Sequence, residues 1–135
     1  MLMIEDVLKG YFEERKEIKA AYLFGSVASG RNTEGSDVDI ALLTEPYQER
    51  AESYISRVSY QADISRLLKK DVDLIFLQEA GELLSFEILN TGKIIFERDR
   101  EANRSFRGTR LVQCLDFKFL EEQMQKGMIA AMRRG

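Results

Sequence analysis

Apolar residues recur along this chain in two rhythms, and each change of rhythm marks the passage from one element to the next. Over residues 4–15, Ile4, Val7, Leu8, Tyr11 and Phe12 return every three or four positions with charges between them, which predicts an amphipathic helix. Residues 18–24 (IKAAYLF) read as a strand ending at Gly25. A short helical turn is expected around Ser26–Gly30, then a polar turn over Thr33–Ser36. Residues 37–43 (DVDIALL) alternate, with Val38, Ile40 and Leu42 on one face. Pro46, the single proline, interrupts the chain. A long helix is predicted over 49–70, with Ala51, Tyr54, Ile55, Val58, Ala62 and Leu68 as its buried stripe. Residues 72–77 (VDLIFL) predict a third strand and 80–90 a mostly apolar helix that Gly92 stops. Residues 93–97 (KIIFE) predict a fourth strand, and 99–133 one long or broken helical region.

Helices and strands therefore alternate, the order of an α/β fold: a sheet of about four strands with helices packed on it. The 135 residues fit one domain, with residues 1–97 as its body and 98–135 as a C-terminal helical segment. No repeat, linker or low-complexity tract divides it.

Composition narrows the chemistry. There is no histidine, and Cys114 is the only cysteine. Intrachain disulfides, Cys/His zinc sites and histidine-assisted nucleophiles are excluded, so a protein-held metal must rest on oxygen ligands. Those suit Mg²⁺, Mn²⁺ or Ca²⁺. No apolar run spans a bilayer, and Glu5 and Asp6 stand where an export signal carries positive charge, so a cytoplasmic protein is expected. Net charge is −3 overall. Residues 1–97 hold 11 Lys/Arg against 18 Asp/Glu, whereas residues 98–135 hold 9 against 5. The acidic body argues against independent nucleic-acid binding, and the basic tail fits an anionic partner or a solvated helix face.

The informative stretch is residues 24–40, FGSVASGRNTEGSDVDI. Asp37 and Asp39 lie two apart on a predicted strand, so both carboxylates leave from one face, roughly 6–7 Å apart. Unaided they repel, and each raises the other's pKa; a divalent cation removes that cost. Asp73 repeats the pattern in DVDLIFL. If its strand lies beside the first pair, about 4.8 Å away, three carboxylates converge. Three can hold two metals roughly 3.5–4 Å apart, and Asp73 is also free to accept a proton. Gly25 permits a tight turn and close approach of a phosphate to the backbone, while Ser26 opens a short helix whose free N–H groups favour an anion. Arg31 reaches a phosphate or remains a surface residue. Each signal alone has a plainer reading: Asp-x-Asp an exposed strand end, Gly-Ser a turn, Asp73 an ion pair with Lys69 or Lys70.

In combination these residues resemble the nucleotidyltransferase superfamily with the DNA polymerase β-like palm. That family carries Gly-Ser, ten residues, then Asp-x-Asp; here Gly25-Ser26 and Asp37-Val38-Asp39 keep that spacing, and Asp73 matches the later third acid. The chain is similar in particular to the minimal nucleotidyltransferases, or MNT proteins, through its VDLI-x-L strand and through Gly92-Lys93-Ile94-Ile95-Phe96-Glu97-Arg98, followed by a basic helical end. The resemblance implies a palm over 1–97, Mg²⁺ at a two-metal site, ATP as substrate and transfer of AMP. Asp37, Asp39 and Asp73 are its implied catalytic and metal-binding residues, and Gly25, Ser26, Ser36 and Arg31 its nucleotide-binding ones.

Many MNT proteins are antitoxins paired with a HEPN-domain ribonuclease toxin, to which they attach AMP at a tyrosine or bind by contact. The implied partner is therefore a HEPN toxin, with no membrane. Two alternatives stand beside protein AMP transfer: transfer to a small molecule or an RNA end, and neutralisation of a partner without catalysis. The absence of an acceptor-holding extra domain favours a protein partner. Met124, Met128 and Met132 at i, i+4 and i+8 suit either an adaptable interface, homodimeric or hetero-oligomeric, or core facing the sheet. Arg104, Arg107 and Arg110 recur every three residues as a basic ridge, facing phosphate, an acidic partner or solvent. Cys114 is expected to be buried, and Tyr22, Tyr54 and Tyr60 to pack.

Overall fold

The computed structural model describes residues 2–25, 30, 37–45 and 51–134. Apart from the turn predicted between the first two strands, the predicted order is visible there: α1 (Leu2–Glu13), β1 (Ile18–Phe24), β2 (Val38–Thr44), α2 (Ala51–Leu68), β3 (Val72–Phe76), a 3-10 turn (Leu77–Glu79), α3 (Glu82–Thr91), β4 (Lys93–Glu97) and α4 (Arg100–Arg134). The turns expected at 26–30 and 33–36, and Pro46, lie wholly or largely outside the described residues. The C-terminal region is one continuous helix of 35 residues.

The four strands form one mixed sheet in the order β3-β2-β1-β4. β1 pairs antiparallel with β2 and with β4, and β2 pairs parallel with β3 through the α2 crossover. Period-two alternation then sorts side chains onto two faces. Ile18, Ala21, Leu23, Val38, Ile40, Leu42, Val72 and Leu74 are buried with Leu8 and Phe12 of α1 and Ile64 of α2. Ala20, Tyr22, Phe24, Ala41 and Leu43 are buried with Ile88 and Leu89 of α3 on the other face, where Phe106 and Leu111 of α4 also pack. Asp39 and Asp73 share the parity of Ala41 and Ile75, so they belong to this second face.

Arg98 closes the body. Its guanidinium donates to the carbonyls of Phe12 (2.7 Å), Glu13 (3.0 Å), Arg15 (3.2 Å) and Ile18 (3.0 Å), which run from the last turn of α1 to the first residue of β1. Lys93 at the other end of β4 meets Glu5 of α1 at 2.6 Å. Lys93 and Arg98, at the two ends of β4, thus fasten strand to helix.

Two expectations are corrected, the stripe of α2 and the Arg104–Arg107–Arg110 ridge. Of the stripe assigned to α2, Leu68 packs on the core, but Tyr54, Ile55 and Val58 are 61%, 67% and 44% exposed, and Ala62 is exposed. The inward face carries Ser53 and Ile64, with Tyr60 and Leu68 half-buried. Ser53 is buried because its hydroxyl bonds the Glu79 carboxylate at 3.2 Å. Gly92 does stop α3, but with an extended backbone (φ −72°) rather than a left-handed one. Its necessity is steric, since a Cβ there would stand 2.3 Å from the Ile88 carbonyl oxygen. The Arg104–Arg107–Arg110 ridge is divided: Arg107 donates to the Leu89 carbonyl at 3.1 Å and Arg110 to that of Gln78 at 3.2 Å. Cys114 is fully buried, its thiol against the Glu82 carbonyl at 3.2 Å. Beyond it α4 leaves the body: Leu115, Phe117 and Met124 are exposed, so Met124 is not core. The side chains of Met128 and Met132 lie outside the described residues.

Candidate active site

The acids meet where the sheet's two pairing geometries coincide. β2 and β3 are parallel and in register, which sets Asp39 directly beside Asp73. Neighbouring strands lie about 4.8 Å apart, so the two carboxylates leave the same face as immediate neighbours. Asp37 immediately precedes β2 and is exposed. The strand starts are tied together by Val38 N–H donating to the Asp71 carbonyl at 3.0 Å. On the other side of β2, Asp39 pairs with Phe24, the last residue of β1.

Gly25 follows Phe24 with φ +74°. A Cβ there would lie 2.2 Å from Oδ2 of Asp39 and 3.2 Å from its Cγ. Two requirements therefore fall on one residue: a left-handed backbone and no side chain, both met only by glycine. The carboxylate of Asp39 rests against bare backbone at the mouth of the turn where a phosphate is expected.

Asp39 is half-buried, and its carboxyl is pushed above the usual carboxylate range. Burial is the largest cause, followed by the negative charges of Asp73, Asp37 and Glu87. Every one of these influences opposes ionisation. Among the described residues no Lys or Arg forms an ion pair with Asp39 or Asp73, so the reading of Asp73 as a partner of Lys69 or Lys70 does not hold there. A bound divalent cation is the chemistry that relieves such a cluster. The donors do not close into a ready cage: no group of three potential ligands is drawn together among the described residues. Mg²⁺ does not need one, because it commonly takes one or two carboxylates and completes its shell with water and substrate phosphate. The donor set fits Mg²⁺ on that basis.

Glu87 was missed in the sequence. It sits on the exposed side of α3, and only the crossing of that helix over the second face brings it toward Asp39. Ser26, Arg31 and Ser36 lie outside the described residues. A hollow of about 520 Å³ between α1 and α2 lies on the opposite face. Its charged groups engage one another: Tyr11 donates to Asp63 at 2.8 Å, and the Arg15 guanidinium stacks 3.5 Å over the Tyr11 ring. That hollow is helix–helix packing, not the acidic centre.

A mixed four-stranded sheet with in-register aspartates beside a glycine turn defines a nucleotidyltransferase-type palm. Residues 6–101 match the family described as polymerase beta, nucleotidyltransferase, and the chain belongs to that family. Protein adenylyltransferase MntA of Shewanella oneidensis is 31% identical over 77 residues, 57% of this chain. The match spans 52% of MntA, about half its length. Among solved structures, the fold resembles a toxin–antitoxin complex chain crystallised with AMP-PNP (TM-score 0.73, 22% identity, 95% of this chain and 98% of that one). It also resembles a chain from the complex of tri-AMPylated Shewanella oneidensis HEPN toxin with its MNT antitoxin (TM-score 0.68, 21% identity, 97% and 98%). Among the described residues no helix is long and apolar enough to cross a membrane.

Proposed function

We propose that this chain is a Mg²⁺-dependent adenylyltransferase that moves AMP from ATP to a tyrosine hydroxyl of a HEPN-type toxin, and so acts as the antitoxin in the cytoplasm. The observation that carries the reading is the in-register Asp39–Asp73 pair, uncompensated by any described cation and backed by Gly25. The toxin–antitoxin complexes of similar fold support a protein acceptor.

Asp37, Asp39 and Asp73 would hold the metal. When bound, Mg²⁺ supplies positive charge against the triphosphate and the departing pyrophosphate. Gly25, lacking a side chain, leaves backbone open to the phosphates, with Ser26 as hydroxyl donor and Arg31 and Ser36 as further contacts. Asp73, exposed at the strand end, accepts the proton of the attacking hydroxyl. The new bond joins the tyrosine oxygen to the α-phosphorus, and the bond from that phosphorus to the β-phosphate bridging oxygen breaks.

The test is intact mass of the toxin partner after incubation with this chain, ATP and Mg²⁺. Added AMP mass with the wild-type chain, and none with Asp39→Asn, is expected. A partner that stays unmodified yet is bound and silenced would replace this reading with neutralisation by contact.

A further inference from the structure

Where α4 begins to cross the second face, a cleft of about 240 Å³ opens against β4, lined by Ile94, Glu97, Arg100, Asn103, Arg104 and Arg107. It sits on the outer strand, whereas the acidic centre is on β2 and β3. Its floor is polar where the surroundings are apolar. Asn103 is 1% exposed and Tyr22 is fully buried, and the Tyr22 hydroxyl donates to Oδ1 of Asn103. A leucine–phenylalanine pair would pack there without the desolvation cost of two polar groups. The NH₂ end of Asn103 is the only donor of a side chain that lines the cleft.

The arginines are differently committed. Arg107 is fixed by the Leu89 carbonyl and lies 5.7 Å from the centre of the Tyr22 ring. Arg100 shares Glu97 at 3.8 Å. Arg104 makes no hydrogen bond or ion pair among the described residues. Three guanidinium groups against one carboxylate leave the cleft positive on a body that is otherwise acidic. Planar N–H forks beside an amide suit an oxyanion such as phosphate, which guanidinium groups bind with paired hydrogen bonds. The volume falls below the roughly 300 Å³ at which small-molecule pockets begin, so it admits a phosphoryl group and not a whole nucleotide.

We infer that Arg100, Arg104, Arg107 and Asn103 form a second, metal-independent site for a phosphate group, separated from the acidic centre by β1. Its phosphate is either a free ion or one unit of a phosphodiester strand.

The experiment follows the arginine Nε–Hε resonances of the full chain in Mg²⁺-free buffer, titrated with inorganic phosphate at ionic strength matched with chloride. Saturable shifts at Arg104 and Arg107 are expected. Arg104→Gln, at an exposed position that leaves the fold intact, is expected to weaken binding at least about tenfold, the scale of one charge-assisted contact. Asp39→Asn is expected to leave it unchanged. A parallel titration with a short single-stranded oligonucleotide separates the sources: tighter, salt-sensitive binding at the same arginines assigns a strand, and equal or weaker binding assigns the free ion. Shifts that chloride alone reproduces, or binding that survives Arg104→Gln at full strength, overturn the inference.

Discussion

Residue 25 has no room for a β-carbon because Oδ2 of Asp39 occupies the place where it would stand, 2.2 Å away. Gly25→Ala must therefore displace the Asp39 carboxylate as well as strain a backbone held at φ +74°. Displacement of a reacting group by about 1 Å costs on the order of 100-fold in rate, and that is the loss expected here in the proposed AMP transfer. The steric origin is checked by urea unfolding of the double variant. Gly25→Ala/Asp39→Ala is expected to be more stable than Gly25→Ala alone, since the second change removes the atoms that the first one strikes. The gain on adding Asp39→Ala is expected to exceed the effect of Asp39→Ala in the wild-type chain, and simple additivity of the two single effects would contradict this.

The electrostatics of Asp39 give a pH prediction with a definite sign. Its carboxyl is raised in the folded state by burial and by Asp73, Asp37 and Glu87. The folded chain thus holds that proton more tightly than the unfolded one. This contribution to stability is fully present below the unfolded carboxyl's pKa and is lost as pH rises through the raised folded value. Without metal, Asp39→Asn is expected to raise Tm at neutral pH and to gain progressively less as pH falls. Added Mg²⁺ is expected to raise Tm of the wild-type chain at neutral pH and to do little for the variant. Thermal melts across pH, with and without Mg²⁺, decide the matter; a destabilised Asp39→Asn in Mg²⁺-free buffer speaks against it.

Arg98 predicts an effect on stability that leaves the chemistry alone. Its four carbonyl acceptors between the end of α1 and the start of β1 lose this donor in Arg98→Ala, at a cost of about 2 kcal/mol for charge-assisted bonds. Lysine, with one point charge instead of a fork, is expected to recover less than half. Denaturant midpoints measure this, and AMP transfer at low temperature is expected to be retained.

The buried Tyr22–Asn103 pair makes a double-mutant cycle informative. Asn103→Ala removes the acceptor of the buried Tyr22 hydroxyl and is expected to cost about 1–3 kcal/mol, beyond any cavity effect. With Tyr22→Phe already in place, the same substitution is expected to cost measurably less. Equal costs in both backgrounds would mean that the hydrogen bond adds nothing to stability.

How far the sequence could be read follows from which physical signals are local. Val38, Ile40 and Leu42 announce a strand with one core face, and that parity already sends Asp39 to the other side. The spacing of Asp73 relative to Val72 and Leu74 does the same for its own strand, so the pair was legible once the strands were taken as neighbours. On α2 periodicity failed. The helix carries more apolar residues than it has inward positions, and a hydrogen bond to Glu79, distant in sequence, draws Ser53 inward while Tyr54, Ile55 and Val58 face out. Glu87 and the commitments of Arg107 and Arg110 were illegible for a related reason. Each depends on where α3 crosses the sheet, which no local pattern encodes.

The C-terminal helix has a consequence for how the molecule moves. At 35 residues it is about 52 Å long, whereas a compact chain of this size has a radius of gyration of about 14 Å. The body is gripped only by the first half, up to Cys114; the remainder, where its side chains are described, stands in solvent. The free protein therefore tumbles as a small sphere with a rod fixed to one side. Its drag exceeds what its mass implies, and rotation about the rod is faster than rotation of the rod end over end.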